Sequence, residues 1–176
     1  WLAGNSISYY YFGHFMMAFV TQVTGVVSSV GYNLGVALIP ALAAMGTFGL
    51  IYNLVRLSGG IVRAGLVFGG AAPVLVLLAG NLEGGLEFVK TVGWGGDSFW
   101  TWVGIKGLEG DAVVASGGFP DQFWWWFRAS RVIDTLVDGQ SLDYTITEFP
   151  VFSFILGDLH PHVMNLPFVI LGLGLT

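Results

Sequence analysis

The sequence predicts an all-α protein whose helices cross a membrane several times. Hydrophobic residues make up 55% of the chain and charged residues only 10%, a balance outside that of ordinary soluble domains. The apolar segments are continuous and lack the alternation of barrel strands, so helices are the expected spanning structure and no β-sheet is expected. Many of the 27 glycines fall inside these segments, where glycine allows helices to approach closely in lipid.

Four apolar segments are the predicted spans, at about 7–30, 32–57, 64–80 and from 163 to 176 onward. The first carries several polar side chains, so it is either a span or a helix that begins in the interface. The second and third contain Pro40 and Pro73, which should kink them by removing a backbone hydrogen bond. The fourth reaches Thr176 before the ~20 residues that a crossing needs. We therefore expect residues 1–176 to be a single membrane domain, a fragment of a larger protein.

Residues 81–148 form a predicted external loop that carries interfacial helices. The loop holds all but one of the acidic residues and nearly all of the tryptophans. One helix is predicted from a cap at Asp121 through an aromatic run to about Val137. It should lie among the lipid headgroups, where tryptophan is favoured. A short helix at 149–157, re-entrant or interfacial, should follow.

Charge placement predicts the orientation and restricts the partners. Arg56 and Arg63 flank the short connection between the second and third spans, and such arginines favour the cytoplasmic side. The connection is therefore predicted to be cytoplasmic and the loop 81–148 external. The net charge of −5 argues against nucleic acid as a partner, and membrane lipid is the expected one. The chain has no cysteine, which excludes disulfides.

The most informative polar cluster is Asp158, His160 and His162, which lies between two apolar runs. Ionisable groups at membrane depth are costly and tend to mark a function. Pro161 suits the first position of a helix, whose free backbone N–H groups attract phosphate. The three side chains could bind a divalent metal or phosphate, or act as catalytic acid and base. The alternative is a capped helix start whose histidines bond to loop carbonyls.

Other residues are candidates for ligand binding. Arg128 and Arg131 could bind the phosphates of a lipid-linked pyrophosphate, because guanidinium groups match phosphate oxygens. The alternative is an Arg131–Asp134 pair with headgroup contacts. Glu83 and Glu87, four residues apart, are predicted to lie on a solvated helix turn.

Tyr10 and His14 form a further candidate pair. They are four residues apart and share a helix face, so they could line a ligand cavity together with the histidine segment. The alternative is that they belong to the aromatic belt at the membrane interface.

Motifs along nearly the whole chain carry a resemblance to a known family. They are YYYFGH at 9–14, GYNL at 31–34, GNLEG at 80–84, FWWW at 123–126, SRVI at 130–133, TEFP at 147–150 and LHPHVM at 159–164. With them the chain resembles the "YYY" family of prokaryotic multi-pass membrane proteins, which implies a place in the prokaryotic plasma membrane. That family is distantly similar to the GT-C glycosyltransferases, which transfer sugars from polyprenyl-phosphate carriers at the outer membrane face.

The resemblance leaves two functions open. The first is a GT-C-like glycosyltransferase acting on a lipid-phosphate sugar, whose key acidic residue would precede Trp1. The second is a non-catalytic subunit that packs against other membrane subunits and binds lipid, quinone or pigment, with His14 as an axial ligand. The GT-C analogy places Trp1 outside, whereas the arginines and three full crossings place it inside. The two placements of Trp1 agree only if segment 7–30 is not a simple span.

Overall fold

The computed structural model describes residues 10–105, 107–108, 118–122 and 125–176. Within these residues it contains eight helices and one two-stranded sheet: α1 Phe12–Thr24, α2 Ser28–Leu57, α3 Val62–Leu77, α4 Glu83–Thr91, α5 Asp97–Val103, α6 Trp125–Arg128, β1 Ile133–Val137, β2 Gln140–Thr145, α7 Pro150–Leu156 and α8 Pro161–Gly174. The chain divides into two compact units. Unit 1 comprises the described residues up to Leu78 together with Ser153–Thr176, and unit 2 comprises Ala79–Phe152.

Unit 1 is organised around α2, whose small residues allow α1 and α8 to approach closely. The buried side chains of α2 recur every four residues: Gly31, Gly35, Ile39, Ala43 and Thr47. A Cβ atom at Gly35 would lie 2.6 Å from Met17 Cε and 3.1 Å from Leu159 Cδ1. Such a stripe of mostly small residues is typical of helices that pack in lipid, where close contact replaces hydrophobic burial as the driving force.

The helices α2 and α3 form an antiparallel hairpin. Tyr52 packs against Gly65 and Phe48 packs against Gly69, so the two helices run in opposite directions. The turn contains Gly59, whose φ of 85° is readily adopted by glycine. The predicted kink residues Pro40 and Pro73 both lie inside their helices.

The apolar helices differ in length from the predicted spans. Within the described part of the chain, α2 alone is long and apolar enough to cross a membrane, and α3 and α8 are shorter apolar helices. Segment 7–30 is not one continuous helix, because the described chain leaves the helix at Gly25, where φ is 69°. The 13 residues of α1 extend about 20 Å, less than the ~30 Å hydrocarbon core.

Unit 2 contains a β-hairpin, so the prediction of a fold without β-sheet was wrong. Strands β1 and β2 are antiparallel, with Ile133 opposite Thr145 and Val137 opposite Gln140. They are joined by Asp138 and Gly139, both at positive φ, which is the backbone of the tight turn that an Asp-Gly pair favours. This is the physical reason why the chain turns there.

The predicted interfacial helix from Asp121 to Val137 is also corrected. The described helix α6 covers only Trp125–Arg128, and Phe123 and Trp124 lie outside the described residues. Alternating β-branched residues after the helix favour strand over helix. The next helix, α7 at Pro150–Leu156, falls within the predicted range 149–157.

Candidate functional site

The candidate site in unit 1 is built at the start of α8. The helix begins at Pro161, with His160 in an extended conformation as its N-cap, as the position of the proline predicts. Upstream, the Asp158 backbone N–H donates to the Ser153 carbonyl at 2.9 Å. That bond ties the polar segment to the end of α7.

Asp158 and His160 are hydrogen-bonded to each other. His160 Nδ1 lies 3.0 Å from Asp158 Oδ2, and a carboxylate can only accept, so Nδ1 is the donor. In the neutral imidazole the other ring nitrogen, Nε2, then carries the lone pair that a general base or metal ligand uses. The arrangement is that of a carboxylate orienting a histidine.

Tyr32 on α2 contacts the other carboxylate oxygen of Asp158. Its hydroxyl donates to Asp158 Oδ1 at 3.4 Å and accepts from the Leu159 backbone N–H at 3.1 Å. One hydroxyl therefore holds both the carboxylate and the backbone beside it. The role of Tyr32 could not be predicted from the sequence, because a contact across 126 residues leaves no local pattern.

The structure brings His162 and Tyr10 to the same place. The rings of His160 and His162 are nearly parallel, with centroids 5.4 Å apart. The Tyr10 ring meets His162 edge-on at 6.3 Å. His14 is positioned differently, since it lines a separate cleft of about 560 Å³ with Tyr32 and Leu159.

A cleft with several polar side chains in its lining and an apolar groove adjoin this cluster. The cleft has a volume of about 670 Å³ and is lined by Tyr10, Tyr11, His162 and Asn165 among others. The groove, of about 730 Å³, runs between α1, α2 and α8 and is lined almost wholly by apolar side chains. The two share four lining residues: Gly13, Met16, Met164 and Phe168. The cleft and the groove therefore adjoin at these four residues.

The two predicted phosphate ligands of unit 2 lie in different surroundings. Arg128 donates to both Glu87 oxygens, at 2.5 and 3.0 Å, and to Gln122 Oε1 at 2.6 Å. Arg131 donates to the carbonyl and hydroxyl of Ser130, both at 2.9 Å, and lies over the Phe127 ring. Arg128 is thus engaged by protein acceptors on several of its nitrogens.

Glu83 and Glu87 are buried, so the prediction that they are solvated was wrong. They are 3% and 0% exposed. Burial, followed by the neighbouring Glu87, raises the pKa of Glu83 to about 8, while Arg128 opposes the rise. Glu83, Glu87 and Lys90 share one face of α4, and such a charged face ordinarily predicts exposure to solvent. The buried face of α4 is its charged one.

Comparison with known proteins identifies the family. A family model described as "Uncharacterized membrane protein (DUF2298)" matches residues 1–176. The chain belongs to this family. No curated protein and no solved structure matches it.

Membership of DUF2298 makes the protein an integral membrane protein. The exposed apolar side chains of α1, α2, α3 and α8 are therefore in a setting where contact with membrane lipid is expected. They include Phe15, Leu42 and Phe68. The polar cluster at the start of α8 contrasts with the mainly apolar surfaces of these helices.

Proposed function

We propose that this DUF2298 protein is a GT-C-like glycosyltransferase of the prokaryotic plasma membrane, which uses a polyprenyl-phosphate-linked sugar at the outer face. The observation that carries the proposal is that a cleft with tyrosine, histidine and asparagine in its lining adjoins an apolar groove, with which it shares Gly13, Met16, Met164 and Phe168. A lipid-linked sugar has the same two parts, a polar head and a long apolar chain.

The groove suits the isoprenoid chain. Its walls include Leu38, Leu42 and Leu171, and burial of apolar surface favours binding by about 25 cal/mol per Å². The head would then lie beside His162 and the first turn of α8, where free backbone N–H groups and the helix dipole favour phosphate. In unit 2, Arg131 is a candidate for contacts with lipid headgroups, whereas Arg128 is engaged by Glu87 and Gln122.

The position of the arginine on α2 supports a site at the outer face of the membrane. Tyr32, which holds Asp158, and Arg56, beside the cytoplasmic turn, are separated by about 36 Å along α2, at about 1.5 Å per residue. That separation exceeds the ~30 Å hydrocarbon core. If the arginines are cytoplasmic, the cluster at the start of α8 is on the external side. If α1, with its 13 residues, does not cross the membrane, the arginines and the GT-C analogy agree on the side of Trp1.

In place of the acidic residue that the resemblance expects before Trp1, the proposal takes the Asp158–His160 pair as the catalytic base. His160 Nε2 accepts the proton of an acceptor hydroxyl as its oxygen attacks the anomeric carbon of the sugar. The bond from that carbon to the phosphate oxygen breaks, and the electron pair leaves with the polyprenyl phosphate. Asp158 stabilises the imidazolium that forms, as a carboxylate does for a catalytic histidine.

The same side chains would suit a divalent cation. Imidazole nitrogen and carboxylate oxygen are ligands for Zn²⁺ and related ions, and Asp158, His160 and His162 offer both. Bound there, the cation would supply Lewis-acid stabilisation of the departing phosphate. Asp158 would then orient His160 and raise its basicity as a ligand.

The test uses the purified chain in lipid nanodiscs with a photoreactive polyprenyl-phosphate sugar. We expect crosslinks on α8 and α1, and sugar transfer that His160→Ala and Asp158→Asn reduce by at least about a hundredfold. Ser58→Ala, at the opposite end of α2, is the matched control and should retain activity.

Other outcomes would distinguish the transferase from its alternatives or assign a cation to the site. Crosslinking without transfer would favour the non-catalytic subunit that binds lipid. A groove that takes no crosslink would overturn the proposed binding mode. Loss of activity on chelation, with metal retained by the wild type and lost from His160→Ala, would assign the cation to this site.

A further inference from the structure

Unit 2 contains a charged cluster that the proposed transfer does not use. Glu83 and Glu87 lie one turn apart on α4, and Arg128 of α6 holds Glu87 with two hydrogen bonds. Gln122 anchors the same guanidinium from another segment at 2.6 Å. Glu87 is thus fixed in place, with both of its oxygens occupied by a donor.

Glu83 has no such donor. Its side chain is turned inward, with the residue 3% exposed, and neither carboxylate oxygen has a hydrogen-bond partner among the described residues. Its backbone N–H donates to Asn81 Oδ1 at 3.1 Å, so the backbone donor at the start of α4 has a hydrogen-bond partner. A buried carboxylate without donors is costly, and this cost requires a compensating ligand.

The charges around Glu83 limit what that ligand can be. Glu87 and Lys90 are the charged groups on the same face of α4, and Arg128 is the one that α6 contributes. The Lys90 ammonium lies 4.8 Å from the centre of the Trp100 ring. A divalent cation at Glu83 would be repelled by the guanidinium of Arg128, whereas a proton adds one charge and also creates the missing donor.

We propose that Glu83 and Glu87 form a buried proton-binding site, in which a protonated Glu83 donates a hydrogen bond to the carboxylate that Arg128 holds. Two carboxyl groups that share one proton are a known stable arrangement, because like charges at contact distance cannot both ionise. The bound proton locks α4 to the Arg128 segment. Deprotonation places two buried negative charges beside each other and weakens that lock.

The sign of the pH effect follows from proton counting. Between the ordinary pKa of a glutamate, ~4.3, and about 8 for Glu83, the folded protein binds more protons than the unfolded chain. Stability must therefore fall as pH rises through this window. One extra proton corresponds to a change of at most about tenfold per pH unit in the ratio of folded to unfolded protein.

The experiment is thermal unfolding of the purified chain in detergent, followed by tryptophan fluorescence between about pH 6 and pH 9, where Glu83 titrates. Every described tryptophan belongs to unit 2. We expect the unfolding temperature of the wild type to fall with rising pH, and that of Glu83→Gln to stay level, since the amide donates permanently. Asp97→Asn, at an exposed acidic residue of α5, is the matched control and should keep the wild-type dependence.

An infrared difference spectrum of the wild type over the same pH range provides an independent readout. A protonated-carboxyl band should disappear on raising the pH, and Glu83→Gln should lack it. If the wild type shows no such band, or if Glu83→Gln keeps the wild-type pH dependence, the proposal fails. Stabilisation of the wild type by Mg²⁺ or Ca²⁺ at high pH, absent in Glu83→Gln, would overturn it in favour of a metal site.

Discussion

The Arg128 guanidinium joins three segments of unit 2, through Glu87 on α4, Gln122 and its own helix α6. Glu87 is fully buried, and the Arg128 side chain is 19% exposed. A buried ion pair of this kind adds little compared with an apolar pair, but removing one member leaves an uncompensated charge. The consequences of losing Arg128 are therefore larger than the strength of the pair itself.

We predict that Arg128→Met lowers the free energy of unfolding by about 3–5 kcal/mol, because Glu87 remains buried without a partner. The measurement is denaturant unfolding in detergent, followed by tryptophan fluorescence. Arg131→Met is the comparison, since Arg131 bonds only to adjacent Ser130 in the contacts described above; an equal loss in both variants would contradict the prediction.

A second prediction concerns Tyr32. Its hydroxyl holds Asp158 and the Leu159 N–H, so Tyr32→Phe should lower sugar transfer by about tenfold or more, as the loss of an orienting partner does at catalytic centres. Substrate crosslinking should be retained. Tyr52→Phe, on the same helix but stacked on Phe48, should have no effect on transfer. Equal activity of Tyr32→Phe and wild type would remove Tyr32 from the site.

Helix packing in unit 1 depends on the positions of the glycines in α2. Gly35 faces Met17 of α1 and Leu159 just before α8, whereas Gly49 on the same helix has nothing within 4 Å of its Cβ position. The two glycines therefore separate the effect of close packing from the effect of glycine on helix propensity. They also place α2 as the common neighbour of two elements that lie far apart in sequence.

We predict that Gly35→Leu destabilises unit 1 by at least about 1–3 kcal/mol, the usual cost of overpacking, while Gly49→Leu is tolerated. Because Leu159 precedes His160, the displaced helix should also lower activity in Gly35→Leu. Thermal stability in detergent and sugar transfer would be measured on both variants. A stable, active Gly35→Leu protein would mean that α1 and α8 are held by contacts other than this stripe.

The apolar helices and the start of α8 could be predicted because they depend on local chemistry, namely continuous apolar residues and a proline after His160. The hairpin was missed because the aromatic run suggested a continuing helix and obscured the Asp138–Gly139 turn. The burial of Glu83 and the role of Tyr32 depend on partners distant in sequence, Arg128 and Asp158. No pattern within one segment contains that information.

The chain as a whole is predicted to cross the membrane with opposite ends of α2 on opposite sides. The native sequence has no cysteine, so single cysteines report position without background. Ser29→Cys lies in the first turn of α2, and Ser58→Cys lies just beyond its last residue; both positions are exposed.

In intact cells, an impermeant maleimide should label Ser29→Cys and should label Ser58→Cys only after permeabilisation. The physical reason is the cytoplasmic preference of Arg56 and Arg63. The reverse pattern would place the Asp158–His160 pair on the cytoplasmic side and contradict transfer at the outer face. Labelling of both positions in intact cells would show that α2 does not cross the membrane.

The turn between β1 and β2 offers a practical handle. Asp138 and Gly139 are exposed, as are the strand residues on either side of them, and exposed loop tips tolerate insertions well. A short epitope inserted between Asp138 and Gly139 would let an antibody fragment bind at a defined point. For a chain of 18.9 kDa embedded in a detergent micelle, such a rigid fiducial would supply the mass and shape that particle alignment in electron cryomicroscopy requires.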